Sequence, residues 1–411
     1  MKGVIMKSKS SARLNRQTIL LLAVNGLIVL SGALSGTFLN VYLWKSKQDY
    51  AMIGWFTVAQ QLAVGLTFWL AGKWVKEYNK MNALRLGIGL TGLFYLLVLW
   101  VGEKAIYYIW PLGILLGIAI GLFWIAFNVV YFEVTDPENR DLFNGWVGLL
   151  GSITGIVGPW FSGLLISMLK GDRGYRIIFT TSLIIYALGV VLSFFLKKRK
   201  KGGTYAWLEP VKQLKDKGSP WRLMAPGLAA QGIREGVFAF LINLLVFVAT
   251  KQESKLGQFS LITSAVSLAT YWLAGKWFKP AYRSAGMLVG ALLLWVVMVP
   301  LIWKVNYFTL LLLGIGTAIF MPLYILPMVS SGFDLMGTSD ENVEKRVELV
   351  VLRELSLMVG RLLGTIIFII VLSFSKDQST ITVLMLVLGA SPILSWICVR
   401  RLLKPGKSAR T

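Results

Sequence analysis

Long apolar runs separated by short polar loops constrain the fold of this chain more than any other feature of its sequence. The hydrocarbon core of a bilayer is about 30 Å thick, and an α-helix needs roughly 20 apolar residues to cross it. Runs of about this length cover residues 18–44, 51–72, 84–101, 107–131, 145–168, 177–196, 223–249, 257–275, 285–303, 307–331, 349–373 and 380–399. We therefore predict an all-α membrane protein with twelve transmembrane helices.

The amino-acid composition supports membrane insertion and excludes several kinds of site. Hydrophobic residues make up 56% of the 411 residues and charged residues 15%, whereas a soluble domain is about 45–50% apolar and about 25% charged. Histidine is absent and Cys398 is the only cysteine. These counts exclude an internal disulfide, a Cys/His zinc site and a histidine base. We expect no metal, no cofactor and no enzymatic activity.

Basic residues are distributed unevenly between the two sides of the predicted membrane. The formal net charge of +23 is compatible with nucleic-acid binding, but the positive-inside rule explains it more economically. With an even number of crossings both termini share one side, whose loops and tails carry about three times as many lysines and arginines as the opposite loops. We predict a plasma-membrane protein with both termini in the cytoplasm and no nucleic-acid partner.

The sequence contains an internal repeat with an offset of 203 residues. Trp69–Lys76 recurs as Trp272–Lys279 with seven identities in eight positions, and Asn40 recurs as Asn243. The loop residues Thr135, Glu138 and Asn139 recur as Thr338, Glu341 and Asn342. Parallel repeats pack about an axis along the membrane normal, with the polar site between them. We predict two six-helix bundles (1–196 and 223–411) with pseudo-twofold symmetry, joined by a basic cytoplasmic linker (197–222).

With these features the chain resembles the major facilitator superfamily over essentially its whole length. The hallmark of that family is a glycine, an aspartate and a basic cluster after helix 2. The corresponding residues here, our candidate gating residues, are Gly72, Lys73 and Lys76, and Gly275, Lys276 and Lys279. Lys76 and Lys279 stand where the family has its aspartate. The resemblance is to a Gram-positive bacterial branch, distantly similar to glycolipid flippases, and it implies transport by alternating access.

Acidic residues in the loops after helices 4 and 10 interrupt a mostly basic cytoplasmic face. Glu138 and Glu341 are related by the repeat and complete the candidate gating residues. They could pair with the basic loops of the other half, closing the cytoplasmic side in one conformation. Alternatively, they only stabilise the positive ends of the helices that follow.

Five charged residues are predicted to lie well inside helices, where each costs at least about 2.5–3.5 kcal/mol at the helix centre. They are Arg234 and Glu235 in helix 7, and Arg353, Glu354 and Arg361 in helix 11. One positive charge is in surplus, and our hypothesis is that Arg361 binds an anionic group of the substrate. Glu235 is the candidate carrier if protons are coupled. The alternative is a structural network that pairs Arg234 with Glu354 and Glu235 with Arg361.

Uncharged polar residues complete the candidate site. They are Asn25, Asn40, Gln60, Gln61, Asn128 and the neighbouring Trp124 in the N-terminal half, and the repeat adds Asn243. These side chains could line a cavity and hydrogen-bond a solute. Equally, they could join neighbouring helices without touching a substrate.

Glycines recur at helical spacing in three predicted helices. They are Gly32 and Gly36, then Gly113, Gly117 and Gly121, and finally Gly360 and Gly364. Without a Cβ atom they let helix backbones approach closely, and we predict that packing is their role.

The leading interpretation is a monomeric secondary transporter for a small organic solute, amphipathic or anionic in character. A flippase for a lipid-linked headgroup and a non-transporting sensor or assembly partner are alternatives on the same fold. The sequence has no P-loop motif for ATP, so either a gradient would supply the energy or the process is passive. The expected partners are a small-molecule or lipid-like substrate, membrane lipids and, as a candidate coupling ion, protons.

Overall fold

The computed structural model describes residues 14–135, 140–169, 171–197, 203–277, 280–337 and 340–403. Within these ranges the chain is helical and contains no β-strand. The α-helices are α1 (Arg16–Lys47), α2 (Tyr50–Lys73), α3 (Lys80–Val101), α4 (Ile109–Val134), α5 (Arg140–Met168), α6 (Arg173–Ser193), α7 (Glu209–Lys215), α8 (Trp221–Thr250), α9 (Glu253–Trp277), α10 (Arg283–Val296), α11 (Tyr307–Met336), α12 (Asp340–Glu344), α13 (Arg346–Phe374), α14 (Gln378–Gly389) and α15 (Ser391–Val399).

Ten helical stretches of the described chain are long and apolar enough to cross a membrane. One of them, Tyr50–Val101, runs for 52 residues through α2, a π-helical turn (Trp74–Asn79) and α3. Another, Gln378–Val399, combines α14 and α15, whereas α9 is not among the ten. The prediction of an all-α, multi-pass membrane protein is confirmed.

Two predicted helices are interrupted where proline removes a backbone donor. The run 285–303 forms α10 and then a 3₁₀ turn, Val299–Ile302, that contains Pro300. The run 380–399 is divided into α14 and α15, and Pro392 lies in the first turn of α15. Because proline has no N–H for a helical hydrogen bond, a helix ends or restarts near it.

The first helix of each half ends with a residue of the same backbone conformation. Gln48 after α1 and Lys251 after α8 have left-handed backbones, with φ angles of 54° and 55°. Their N–H groups donate to the carbonyl oxygens of Trp44 and Phe247, one turn earlier. A left-handed residue of this kind ends a helix, so α1–α2 and α8–α9 form matching helical hairpins at the spacing of the sequence repeat.

Glycines allow the closest helix contacts. Gly117 of α4 lies against α2, where an added Cβ atom would overlap the Gln60 carbonyl oxygen. Gly360 of α13 lies in the same way against Ala229 of α8. The predicted packing role is confirmed at these positions. It is wrong for Gly36 of α1, because a Cβ atom there would have no neighbouring atom within 4 Å.

Among the described residues, two helix pairs make the most extensive contacts between the N-terminal and C-terminal halves of the chain. The helix α2 packs on α13, and α5 packs on α9. Gly163 of α5 faces Gly257 of α9, and a Cβ atom at Gly163 would lie 3.1 Å from the Gly257 Cα atom. The other helices that face the opposite half, α1, α4, α8 and α11, leave a space between these two contacts.

Replacing Gly360 by alanine is expected to destabilise the protein by about 1–3 kcal/mol, because the added methyl group forces α13 away from α8. The matched control is Gly151→Ala in α5, where a Cβ atom has open space and alanine improves helix propensity. Thermal unfolding of both variants in detergent micelles measures the difference. A midpoint for Gly360→Ala at or above that of Gly151→Ala would contradict the packing.

Candidate functional site

A cavity of about 910 Å³ lies between the two halves. It is lined by α1, α2 and α4 on one side and by α8, α11 and α13 on the other. Ten of the predicted site residues lie on its wall: Asn40, Gln60, Gln61, Trp124, Asn128, Arg234, Glu235, Arg353, Glu354 and Arg361. The first half thus contributes amides and an indole, and the second half contributes the charges.

Two predicted site residues do not line this cavity. Asn25 is buried in α1, and its side-chain oxygen has no hydrogen-bond partner among the described residues. It precedes Asn40 by about four helical turns. Asn243 follows Ile242, which does line the cavity, but adjacent residues on a helix point about 100° apart. Asn25 is therefore displaced along α1 from the cavity-lining Asn40, whereas Asn243 is rotated away from Ile242 around α8.

Arg361 is the centre of the charged network. Its Nε and Nη2 atoms donate to Oε2 of Glu235 at 3.1 and 2.9 Å, and its Nη1 donates to Oε1 of Glu354 at 2.7 Å. Nη1 also donates to the side-chain oxygen of Gln61 on α2 at 3.4 Å, which links the two halves. Gln231 donates to the other oxygen of Glu235 at 2.6 Å. One guanidinium group therefore binds both carboxylates.

One of the two ion pairs in the predicted structural network is present. Glu235 pairs with Arg361 as expected, but Glu354 also pairs with Arg361, and the expected Arg234–Glu354 pair is absent among the described residues. Glu354 and Arg361 are seven residues apart, so both project from nearly the same face of α13. Arg234 adjoins Glu235 and points about 100° away from it around α8.

Arg234 lines the cavity, and two of its hydrogen-bond donors are buried without a partner among the described residues. The residue is 5% exposed, and its Nε and Nη2 atoms have no partner in the part of the chain that the structure describes. Its Nη1 lies 3.9 Å from the Met321 sulfur, and its Cζ lies 4.6 Å from the centroid of the Phe238 ring. The guanidinium is thus surrounded by apolar and weakly polar groups rather than by a carboxylate.

Arg353 is the second cavity arginine without an ion pair among the described residues. Its Cζ lies 5.7 Å from the centroid of the Phe333 ring. Because Arg361 is already bound to both glutamates, the positive charge available to an incoming anion belongs to Arg234 and Arg353. The expectation that Arg361 holds the surplus charge needs this correction.

A buried ion pair joins α2 to α13 beyond the residues of these helices that line the cavity. Lys76, in the π-helical turn after α2, lies with its Nζ 2.7 Å from Oε1 of Glu348, in the first turn of α13. The two side chains are 8% and 0% exposed. Ala206 of the linker donates its N–H to the same carboxylate oxygen at 2.9 Å. We name the Lys76–Glu348 pair the latch, and this end of the molecule the linker end.

The linker also packs on the predicted gating glycine, Gly72. A Cβ atom at Gly72 would lie 2.6 Å from the Tyr205 hydroxyl oxygen, so only glycine admits the tyrosine here. Tyr205 donates its N–H to Glu77 at 2.8 Å and its hydroxyl to the Trp69 carbonyl at 3.2 Å. The linker is therefore docked on the end of α2 beside the latch.

The other predicted gating residues do not form the expected pairs across the repeat in the described chain. Glu341 pairs instead with Lys345, one helical turn later, at 2.6 Å, and Lys345 also lies 3.2 Å from Glu209 of α7. The hydrogen bond between them raises the pKa of Lys345 and lowers that of Glu341. Lys73 has no ion pair among the described residues. Glu138 and Lys279 lie outside the described residues, and only the helical backbone is described for Gly275 and Lys276.

More exposed ion pairs join the halves at the opposite end. Lys45 lies 3.0 Å from Glu253, which also accepts the Tyr175 hydroxyl at 3.0 Å, and Lys376 lies 3.8 Å from Asp49. The two lysine side chains are 40% and 70% exposed, and exposed pairs contribute only about 0–1 kcal/mol. The ion pairs therefore hold the halves more firmly at the linker end.

Comparison with known proteins gives the family. A model described as Major Facilitator Superfamily matches residues 20–339. The chain belongs to this superfamily. A protein of Bacillus subtilis (strain 168), Uncharacterized protein YqgE, is 36% identical over 386 residues, which cover 94% of this chain and 90% of that protein. A Geobacillus stearothermophilus protein, Uncharacterized protein in sodM 3'region, is 38% identical over 197 residues, 48% of this chain and 92% of its own length.

Solved structures of other transporters share the fold of this superfamily member. A bacterial homologue of the iron transporter ferroportin, in an outward-facing state, gives a TM-score of 0.66 at 14% identity over 94% of this chain and 99% of that chain. The human organic anion transporter MFSD10 (TETRAN) gives a TM-score of 0.64 at 15% identity over 93% and 99%. Identities this low establish the fold alone. Family and fold together point to a membrane transporter rather than an enzyme.

Arg234 and Arg361 are buried arginines with opposite expected effects on stability. Arg361→Gln leaves two carboxylates unpaired, and breaking a buried ion pair from one side costs about 3–5 kcal/mol. Arg234→Gln removes a charge without a carboxylate partner, so we expect an unfolding midpoint at or above that of the wild type. Thermal unfolding in detergent without added ligand measures both. An equally large loss of stability in Arg234→Gln would contradict this geometry.

Proposed function

We propose that the protein is a secondary transporter that moves a small organic anion across the plasma membrane by alternating access. The observation that carries the proposal is Arg234, which lines a cavity shared by both halves and whose buried guanidinium has two donors without a partner among the described residues. An unneutralised charge at this depth is costly, and a bound anion would supply its missing partner.

The charge of the cavity favours an anionic cargo. Among the solved relatives, one is named for iron and another for organic anions, so the shared fold does not select a substrate. Three arginines and two glutamates line this cavity. Their net positive charge repels a metal cation and attracts an anion.

Helix packing supports two bundles of the same topology, as alternating access between parallel repeats requires. The contacts α1–α5, α2–α4 and α3–α6 in the proposed first bundle (1–196) have the counterparts α8–α13, α9–α11 and α10–α15 in the second (223–411). Counting α14 and α15 as one crossing, we propose six crossings in each bundle and a linker at 197–222.

We assign the linker end to the cytoplasm. The linker is rich in lysine and arginine, which the positive-inside rule places there. The start of α1 lies at the same end, since Gln17 accepts the N–H of Lys197 at 2.8 Å. The latch would then close the cytoplasmic side, and opening that side would require Lys76 to leave Glu348. The exposed pairs at the other end would separate at a smaller cost.

Reversing the charge of Lys76 is expected to open the linker end. Lys76→Glu places two carboxylates at the latch, and like charges in a buried contact repel. The readout is a cysteine on the cavity wall, Thr317→Cys, in a chain with Cys398→Ala. We expect labelling by a membrane-impermeant maleimide from the linker side to become at least about tenfold faster, which corresponds to a shift of about 1.4 kcal/mol.

Two further variants control this experiment. Adding Glu348→Lys to Lys76→Glu restores an ion pair of reversed polarity and should return labelling most of the way to its original rate. The return is incomplete because lysine cannot accept the Ala206 N–H. Lys73→Glu, on the neighbouring lysine without an ion pair among the described residues, should change the rate little. An unchanged rate in Lys76→Glu would show that the latch does not close this end.

Transport itself is tested by comparing the solutes of cells and medium. Cells that lack the protein are compared with cells complemented by the wild type or by Arg234→Gln. We expect at least one organic anion to change its distribution several-fold in the deletion strain, to recover with the wild type and not to recover with Arg234→Gln. If deletion alters the distribution of no solute, a sensor or assembly role is favoured over transport.

A further inference from the structure

A second chamber adjoins the cavity inside the N-terminal half. This chamber has a volume of about 350 Å³ and is lined by α1, α2, α3, α4 and α6. Asn40, Gln60, Ile120 and Trp124 line both spaces, so only these side chains lie between the chamber and the main cavity. None of the described residues that line the chamber is charged.

The wall of the chamber is mostly aromatic and aliphatic. Tyr95 and Tyr186 stack with their ring centroids 5.8 Å apart, and Phe56, Phe123 and Leu116 contribute further apolar surface. Apolar surface removed from water contributes about 25 cal/mol per Å². A hydrocarbon chain or ring entering this space would therefore be bound, whereas a charged group would lose its hydration without gaining a partner.

Two glycines of α1 keep the chamber open. At Gly36 an added Cβ atom would have no neighbour within 4 Å, and at Gly32 its nearest neighbour would be the Tyr186 hydroxyl oxygen at 3.8 Å. Glycines that serve helix packing behave differently, as at Gly117, where a Cβ atom would lie 2.6 Å from the Ala63 Cβ atom. The glycines of α1 thus provide space for something other than a neighbouring helix.

We infer that the substrate is an amphipathic organic anion, with its acid group bound by Arg234 and its apolar part inside this chamber. The inference rests on the proposed transport function and names the substrate class. Two independent features support it. The unpaired Arg234 guanidinium needs an anion, and the open apolar chamber costs stability as long as no apolar group occupies it. The two spaces share wall residues, so a single molecule that passes between these side chains would satisfy both.

The amides at the junction fit the same assignment. Asn40 and Gln60 line both the charged cavity and the apolar chamber. They can hydrogen-bond the polar part of a solute without adding charge. Glu235 does not compete for Arg234 as a partner, because its two oxygens accept hydrogen bonds from Arg361 and Gln231. The acid group of the substrate is thus directed to α8 and its apolar part to α1.

A homologous series of synthetic acids tests the inference on the full chain in lipid nanodiscs. The probes are benzoate, 3-phenylpropanoate, 5-phenylpentanoate and 7-phenylheptanoate, together with the matching uncharged phenylalkanols. Calorimetric titration measures the affinity of each. We expect the affinity to rise about fourfold for each methylene that enters the chamber. Acids should bind about 10–100-fold more tightly than the matching alcohols.

Three variants test where the acid group and the apolar part of each probe bind. Arg234→Gln should remove the preference for acids over alcohols while keeping the dependence on chain length. Gly36→Leu should fill part of the chamber and weaken 7-phenylheptanoate at least tenfold more than benzoate. Gly151→Leu is the matched control, because Gly151 also has open space around its Cβ position but lines neither cavity. Gly151→Leu should leave the preference for acids and the dependence on chain length unchanged.

The outcomes separate this inference from the proposed function. A preference for acids that survives Arg234→Gln, or a chain-length dependence that Gly36→Leu leaves unchanged, would overturn the inference. Counterflow of the bound acids in proteoliposomes tests transport separately. Binding with the expected pattern but without counterflow would uphold the amphipathic site and overturn the transport function.

Discussion

Charge buried at membrane depth is costly unless it is paired. The two ion pairs of Arg361 therefore determine which charged groups of this cavity have a partner. Arg361 takes Glu235 from α8 and Glu354 from its own helix. Arg361 directly follows Gly360, where the backbones of α8 and α13 touch, so packing and ion pairing hold the same two helices together. Both glutamates are paired with Arg361, so Arg234 has no carboxylate partner among the described residues. Its charge therefore contributes to the positive potential of the cavity.

Burial also distinguishes the two ends of the cavity. Glu348 is fully buried and accepts from both Lys76 and the Ala206 N–H, so separating the latch removes the cation that pairs with a buried carboxylate. At the opposite end, Lys45 and Lys376 are already largely hydrated in their ion pairs. The linker is thus part of the closing contact at its own end rather than a passive connection between halves.

The helices and the charged residues of the cavity could be predicted from the sequence because a bilayer imposes strict rules on apolar length and on charge. The partners in each ion pair could not be predicted, because they depend on how α8 is rotated against α13. Arg234 and Glu235 are neighbours in the sequence, yet only Glu235 reaches Arg361. Similarly, Gly36 and Gly360 each lie four residues from another glycine, but Gly36 faces a cavity and Gly360 faces a helix. Tertiary arrangement, not local pattern, decides such cases.

The repeated halves differ most where the cavities are built. At the repeat offset of 203 residues, Ser31 of α1 corresponds to Arg234 of α8, and Gly32 corresponds to Glu235. Ser31 donates to the Ser182 carbonyl, and Gly32 borders the apolar chamber, whereas the two charged residues border the main cavity. The same two positions are therefore small in one half and ionic in the other. Divergence of this kind gives related helices opposite polarity, so that an apolar chamber in one half adjoins a cavity with charged residues from the other.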